Sequence, residues 1–271
     1  MSYKSLDNWE SAVNGSGNTL CISYGKDSLA SLGAIKHLGW KLDRIVHAEV
    51  WATDTIPGDL PPMVEFKAKA DEIIKRMFGI QVEHIRADVT YEEQFYSVFQ
   101  KGKNKGRIYG FPIQRGAWCN SYLKMNALNK VHIEGVEYIG IAEDEPKRFK
   151  VLRDNKLSPL KEIGWDEGLC GLWCHYSELL SPTYCSCCRD GCWFCHNQSI
   201  EQLRILRKDY PHLWELLLKW DNDSPMSFKA DGKTVHDYEE RFQLEDEGYI
   251  FADEKFRWKM LNEPIQIRWQ F

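Results

Sequence analysis

Strand-like and helix-like patterns alternate through residues 18 to 145 of this 271-residue chain, and few architectures accept that rhythm. NTLCISY (18–24) is a short run of β-formers bounded by turn residues. GKDSLASLGAIKHLGW (25–40) carries apolar residues at helical spacing. KLDRIVHAEVWATD (41–54) predicts a second strand centred on Arg44–Ala52, and MVEFKAKADEIIKRMFG (63–79) a second helix. Gln81–Ile85 predicts a third strand, VTYEEQFYSVFQ (89–100) and SYLKMNALNKVH (121–132) predict helices, and VEYIGIAEDE (136–145) predicts a buried strand ending in acidic residues. A strand–helix alternation of this kind is an α/β fold, a parallel sheet with helices on both faces. Between the last two helical patterns, KGKNKGRIYGFP (101–112) is basic, Gly-rich and expected to be mobile.

Beyond Pro146 the character changes. LSPLKEIGWDEGLCGLWCHYSELLSP is aromatic-rich and reads as irregular. SIEQLRILRKDYPHLWELLLKWDND predicts two short helices broken at Tyr210-Pro211, and HDYEERFQLEDEG one more. The expected division is a nucleotide-binding α/β domain over 1–165 and a smaller irregular and helical Cys-rich, metal-binding part over 166–271, packed on it. Hydrophobic residues are 43% and charged residues 28%, with 35 basic against 40 acidic, a net charge of −5. That balance argues against a histone-like polybasic binder. No apolar run is long enough to span a bilayer and MSYKSLDNWE lacks an apolar signal core, so no membrane and a cytoplasmic location are expected.

Cys21-Ile22-Ser23-Tyr24-Gly25-Lys26-Asp27-Ser28 carries the chemistry. A strand enters a short turn and a helix starts at once, so Ser23, Ser28 and several N–H groups stand at a helix N-terminus, where anions bind. Lys26 adds a point charge for phosphate oxygens, and Gly25 permits close approach or an unusual backbone angle. The competing reading is an ordinary N-cap supplied by Asp27 or Ser28.

The string departs from G-x-x-x-x-G-K-[ST] and from G-x-G-x-x-G. It resembles the PP-loop, S-G-G-x-D-S, of the adenine nucleotide α-hydrolase-like superfamily, with Tyr24 where the first Gly usually stands. Tyr visits positive φ only at a cost, so an ordinary angle is expected there. Four further segments resemble the PAPS reductase-like branch in order: ATDTIPGDLPP (52–62), GFPIQRGAWCNSYLK (110–124), YIGIAEDEPKR (138–148) and KLSPLKEIGWDE (156–167). The resemblance implies a Rossmann-like sheet binding ATP or another adenine nucleotide at the C-terminal strand edges. By carry-over Ser23, Tyr24, Gly25, Lys26, Asp27 and Ser28 cradle phosphates, Asp54 and Thr55 flank the adenosine, and Arg115 and Lys124 offer cations. Glu143, Asp144 and Glu145 follow a strand, with Arg148 close behind; one or two of the carboxylates would hold Mg²⁺. Lys26, Asp27, Lys124 and Asp144 are the candidate catalytic residues. Lys101, Lys103, Lys105 and Arg107 read as a lid over phosphate or as a solvated loop.

Nine cysteines are unusual, and seven lie between Cys170 and Cys195. Cys185/Cys188 and Cys192/Cys195 form two C-x-x-C pairs, the donor set of a tetrahedral zinc site or a [4Fe–4S] cluster. Cys119, Cys170, Cys174 and Cys187 are alternative ligands, and Cys21 on the first strand is expected in the core. In the same resemblance, PAPS reductases proper attack sulfur with a cysteine near their C-terminus, whereas no cysteine follows Cys195 here. Three readings remain. One is an adenylating enzyme that cleaves ATP between the α and β phosphates and modifies an acceptor, nucleic acid or a small molecule, with sulfur transfer to nucleic acid as in DNA phosphorothioation. The second is a sulfonucleotide-processing or nucleotide-hydrolysing enzyme with structural zinc. The third is a non-catalytic nucleotide sensor or interaction protein. A homo-oligomer and a partner protein both stay open. Trp165, Trp173, Tyr176 and Trp193 would stack on a base or pack in a core.

Overall fold

The computed structural model describes residues 9–112, 117–150, 152, 155–186, 191–252, 256 and 258, apart from the side chains of 185 and 186. Along the chain run α1 (Trp9–Ala12), β1 (Thr19–Ile22), α2 (Lys26–Leu38), β2 (Arg44–Glu49), α3 (Pro61–Phe78), β3 (Val82–Arg86) and α4 (Tyr91–Tyr96). A π-helix (Asn120–Met125), α5 (Asn126–Asn129), β4 (Glu137–Ile139), α6 (Pro146–Phe149), β5 (Lys156–Leu157), α7 (Pro159–Glu162) and α8 (Glu167–Tyr176) follow. After a 3₁₀ turn (Pro182–Ser186) come α9 (Ile200–Asp209), α10 (Pro211–Asp223) and α11 (Val235–Asp246). Among the described residues no helix is long and apolar enough to cross a membrane.

The fold is α/β, a parallel sheet of order β3-β2-β1-β4-β5 flanked by helices. This is the doubly wound arrangement, in which strand order reverses beside β1. Buried on both sides, β1 has Leu20 fully covered and Ile22 nearly so, as a central parallel strand requires. Asn18 pins the start of β1: its amide donates to the carbonyls of Val13 and Lys41, and its Oδ1 accepts from Val136 N–H at the entry to β4. Helix α2 stops at Gly39 and α3 at Gly79, both left-handed (φ 67° and 70°), as glycine C-caps allow.

The chain divides into two compact units, Met1–Thr90 with Asn120–Cys192 and Tyr91–Cys119 with Trp193–Phe271. Each is built from two segments of the chain. The stretch expected to be irregular forms β5, α7 and α8, and α8 packs on α2. Asp166 caps α8 through Leu169 N–H, and Trp173 lies so close over Gly33 that a Cβ there would stand 2.3 Å from the indole. Cys170 and Cys174 are fully buried on that face, and burial pushes both thiols up to about 12. They act as small apolar side chains.

The second unit is built on aromatic rings. Trp193 stacks on Trp220 at 5.5 Å, and Tyr91 contacts Trp118, Phe194 and Trp220. Trp193 is therefore core. The helices broken at Tyr210-Pro211 occur as expected, and Ser199 and Thr234 close full capping boxes on α9 and α11. The helix expected over 89–100 ends at Tyr96. The basic 101–112 stretch, expected to be mobile, begins as the tip of a hydrogen-bonded hairpin instead.

Candidate functional site

Strand β1 ends at Ile22 and α2 starts at Lys26, leaving Ser23-Tyr24-Gly25 to make the turn. The left-handed residue is Tyr24, with φ 60°, and Gly25 is ordinary at φ −73°. The expected angles are thus exchanged. The cost at Tyr24 is met by its side chain, which is fully buried and engaged on every side. Its hydroxyl donates to Asp71 and meets His84 Nε2 at 3.2 Å. Its ring packs edge-on against His47 at 4.7 Å, with Lys67 Nζ 5.2 Å from its centre. A glycine at this position would reach the same angle freely; here tertiary contacts enforce it.

The ordinary N-cap alternative does not form, because the cap residue is Gly25, which has no side chain; the Lys26 N–H donates to the Tyr184 hydroxyl at 3.2 Å. Ser28 reaches backward instead. Its Oγ accepts from Ser23 N–H at 3.1 Å and donates to the Gly25 carbonyl at 2.8 Å, closing the turn from within. Gly140, just past β4, lies against this helix start: a Cβ there would be 2.6 Å from both Ser28 Cα and Ser28 N.

Lys26 Nζ sits 3.2 Å from Asp27 Oδ1 and 2.8 Å from Glu167 Oε2. Glu167 is the more exposed partner at 52%. The Glu167 N–H donates to Asp144 Oδ1. Lys26, Asp27 and Asp144 therefore form one group, joined by Glu167, which sequence patterns did not single out. Glu143 is exposed, and Arg148 pairs with Glu145 at 2.6 Å.

A cavity of about 300 Å³ opens beside the turn, lined by Ser23, Lys124, His47, Lys67, Asp59 and Cys192 among others. Cys21 also lines it and is only half-buried, where the core was expected. Lys124 comes from the π-helix, whose i→i+5 spacing is frequent at functional sites. His47, Lys67 and Asp59 were missed in the sequence, where they lie among ordinary strand and helix residues. His47 Nδ1–H donates to the Ile22 carbonyl at 3.0 Å, so Nε2 accepts from Lys67 at 3.0 Å. Lys67 also meets Asp59 at 2.5 Å.

A second cavity of about 300 Å³ holds Asp54, with Glu49, Trp51, Arg86 and Asp88. The tail of β2 separates the two. Ala48 and Val50 face the first and Glu49 and Trp51 the second, the two-residue alternation of extended chain. Thr55 stands exposed in the following turn.

Among the described residues no three His, Cys, Asp or Glu side chains converge as metal ligands. Arg115, Cys187 and Cys188 and the Cys185 side chain lie outside those residues. Cys192 faces the first cavity, and Cys195 and Cys119 are half-buried in the second unit.

The two histidines titrate in opposite directions. Burial, reinforced by Lys67, lowers His47 to about 3, so it is neutral. Hydrogen bonds to Asp71 and Glu49, each 2.8 Å, raise His84 to about 9, so it is charged at neutral pH. Stability owed to His84 is complete below its ordinary 6.5 and is lost as pH rises through 9. Stability owed to His47 is complete above 6.5 and falls away as pH drops from there towards 3. Thermal melting against pH should show His84→Gln flattening the alkaline limb, and also the acid limb between about 4.5 and about 2, because the bond from His84 is what holds Glu49 down; an unaltered alkaline limb contradicts the pairing. No protein-family model and no curated protein matches this chain.

Proposed function

We propose that this protein is a PP-loop enzyme that binds ATP, cleaves it between the α and β phosphates and transfers the adenylyl group to an acceptor. The observation that carries this reading is the N-terminus of α2, which starts at Gly25 without an N-cap side chain and is aimed from the end of β1 at the point where strand order reverses. Doubly wound sheets bind ligands at that point, and a helix N-terminus with free N–H groups attracts phosphate. Lys26, and Lys124 beside Ser23, supply the positive charge.

In the proposed reaction an acceptor oxygen forms a bond to the α-phosphorus and the bridging oxygen leaves with pyrophosphate. Negative charge grows on that bridging oxygen. Lys26, released from Glu167, and Lys124 offset it, which is the main task in phosphoryl-type transfer. Asp27 holds Lys26 in place, and Ser28 keeps the turn closed from behind. Asp144 and Glu143 are exposed carboxylates of the kind that hold Mg²⁺ together with phosphate oxygens, where one or two protein ligands suffice. The ion would neutralise phosphate charge. The cysteines from Cys185 to Cys195 are proposed to hold zinc or a [4Fe–4S] cluster, with Cys192 as a sulfur donor facing the cavity. A brown protein after anaerobic purification indicates the cluster; a colourless one carrying zinc indicates the alternative.

Calorimetric titration with ATP tests the site. Lys26→Ala and Lys124→Ala should each weaken binding by about tenfold or more, about 1.4 kcal/mol, the size of a lost charge-assisted hydrogen bond. Pyrophosphate release should fall further. Unchanged affinity in both variants removes the proposal, and binding without any pyrophosphate release, with nucleic acid or small acceptors present, favours a sensor.

A further inference from the structure

The chain is acidic overall, yet from Gln94 to Cys119 it contains no Asp or Glu, and Lys101, Lys103, Lys105, Arg107 and Arg115 fall within that stretch. Four of these cations share one structured element. Phe99 and Tyr109 stack at 3.9 Å across the neck of a hairpin, with rings nearly parallel at 14°. Backbone bonds Phe99 N–H to Arg107 O, Gly106 N–H to Phe99 O and Tyr109 N–H to Ser97 O tie its two sides, and Val98 bridges Ile108. Gly102 and Gly106 turn the tip at φ 80° and 85°, angles that favour glycine. Every residue from Lys101 to Arg107 is exposed.

Elsewhere the cations of this protein are commonly paired. Arg44, Lys67, Lys130, Lys156, Arg204 and Arg207 each meet a carboxylate within 3 Å. The side chains of Lys101, Lys103, Lys105 and Arg107 have no ion-pair or hydrogen-bond partner among the described residues. Four unpaired like charges on one ordered hairpin repel each other, and a polyanion relieves that repulsion. The tip from Gln100 to Arg107 has no apolar side chain to insert into a bilayer.

We propose that the hairpin Phe99–Tyr109 is a docking surface for the phosphate backbone of nucleic acid. The four cations each neutralise a phosphate and release its counterions, without reading bases. This surface stands independently of the proposed nucleotide site. If both hold, nucleic acid becomes the acceptor class that the adenylation reading leaves open.

The test is fluorescence anisotropy of a labelled DNA duplex and of a labelled single strand, titrated with the full chain over a series of salt concentrations. The comparison is the wild type against a variant with Lys101, Lys103, Lys105 and Arg107 all changed to Gln. For the duplex the log–log salt slope should shrink in magnitude by about 3 to 4, from roughly 0.9 per neutralised phosphate, and for the single strand by about 3. A control with Lys75, Arg76 and Lys208 changed to Gln should keep the wild-type slope. ATP affinity and melting temperature should be unchanged in both, which separates this result from the fate of the nucleotide site. A second variant, Lys101→Glu with Lys103→Glu, should weaken binding beyond neutralisation of the same two residues. The proposal is overturned by absence of wild-type binding at low salt or by equal slopes for wild type and the quadruple variant. It is also overturned if anionic phosphatidylserine vesicles or polyglutamate compete as well as unlabelled DNA, which would mark the surface as serving a membrane or an acidic protein.

Discussion

Tyr24→Ala is expected to destabilise the first unit by about 3–5 kcal/mol, the usual range for deleting a fully buried aromatic ring. The variant loses the packing on His47 and the bond to Asp71, and it retains a non-glycine residue at φ 60°. Two companions separate these contributions. Tyr24→Phe keeps the ring and removes the hydroxyl, leaving Asp71 and His84 to pair alone, for a cost of about 1–3 kcal/mol. Tyr24→Gly deletes the ring but relieves the backbone angle, recovering about 1 kcal/mol relative to alanine. Urea unfolding should therefore rank wild type above Phe, Phe above Gly, and Gly above Ala. A glycine variant as stable as wild type would show that the ring adds nothing and that the side-chain network does not hold the turn. ATP affinity should fall in the same order, because the turn sets where Ser23 and the first N–H groups of α2 stand.

Gly140→Ala should disturb the same turn through a different route. The new methyl would lie 2.6 Å from Ser28 Cα and N, both backbone atoms in the first turn of α2, so no flexible side chain can swing aside. Overpacking of this kind costs about 1–3 kcal/mol, and the upper end is expected where a helix must move. Ser28 also closes the turn through Ser23 and Gly25, so the displacement reaches the proposed phosphate site. Nucleotide binding measured by calorimetry should be lost at temperatures where circular dichroism still reports a folded chain. Wild-type affinity in Gly140→Ala would mean that β4 and the start of α2 are not packed as described. Gly164→Ala serves as a contrast: unlike Gly140 it sits at positive φ, and a Cβ there meets nothing within 4 Å, so its cost is backbone strain alone.

The two substitutions touch the same point from opposite sides. Tyr24 holds the turn from β2, β3 and α3, and Gly140 lets β4 approach it. A short loop of ordinary composition becomes a rigid turn because both neighbours of β1 constrain it, which is the preorganisation that the proposed phosphate site requires.

The alternation of strands and helices, the parallel sheet and the strand–turn–helix at Ser23–Ser28 were legible in the sequence. Each depends on periodicity or on local turn chemistry, and these act over a few residues. The short elements were not. The two-residue strand β5 and the four-residue α7 carry no period long enough to read, and α8 was masked by cysteines and aromatics spread around its surface. The basic stretch after Gln100 has a loop composition, yet the stack of Phe99 on Tyr109 orders it. Composition cannot report a contact between residues ten positions apart.

The candidate site divides the same way. Lys26, Asp27 and Ser28 follow from the motif, and Lys124 from its place in a block of resembling residues. His47, Lys67, Asp59, Asp71, His84 and Glu167 come from separate strands and helices, and only folding brings them to the turn. The sequence by itself determined that a strand would hand its end to a helix start, because β-propensity and helical spacing are local. The tertiary structure decided which residue would bear the left-handed angle. A buried tyrosine tied to Asp71 and His84 can sustain a backbone cost that no local preference would assign to it.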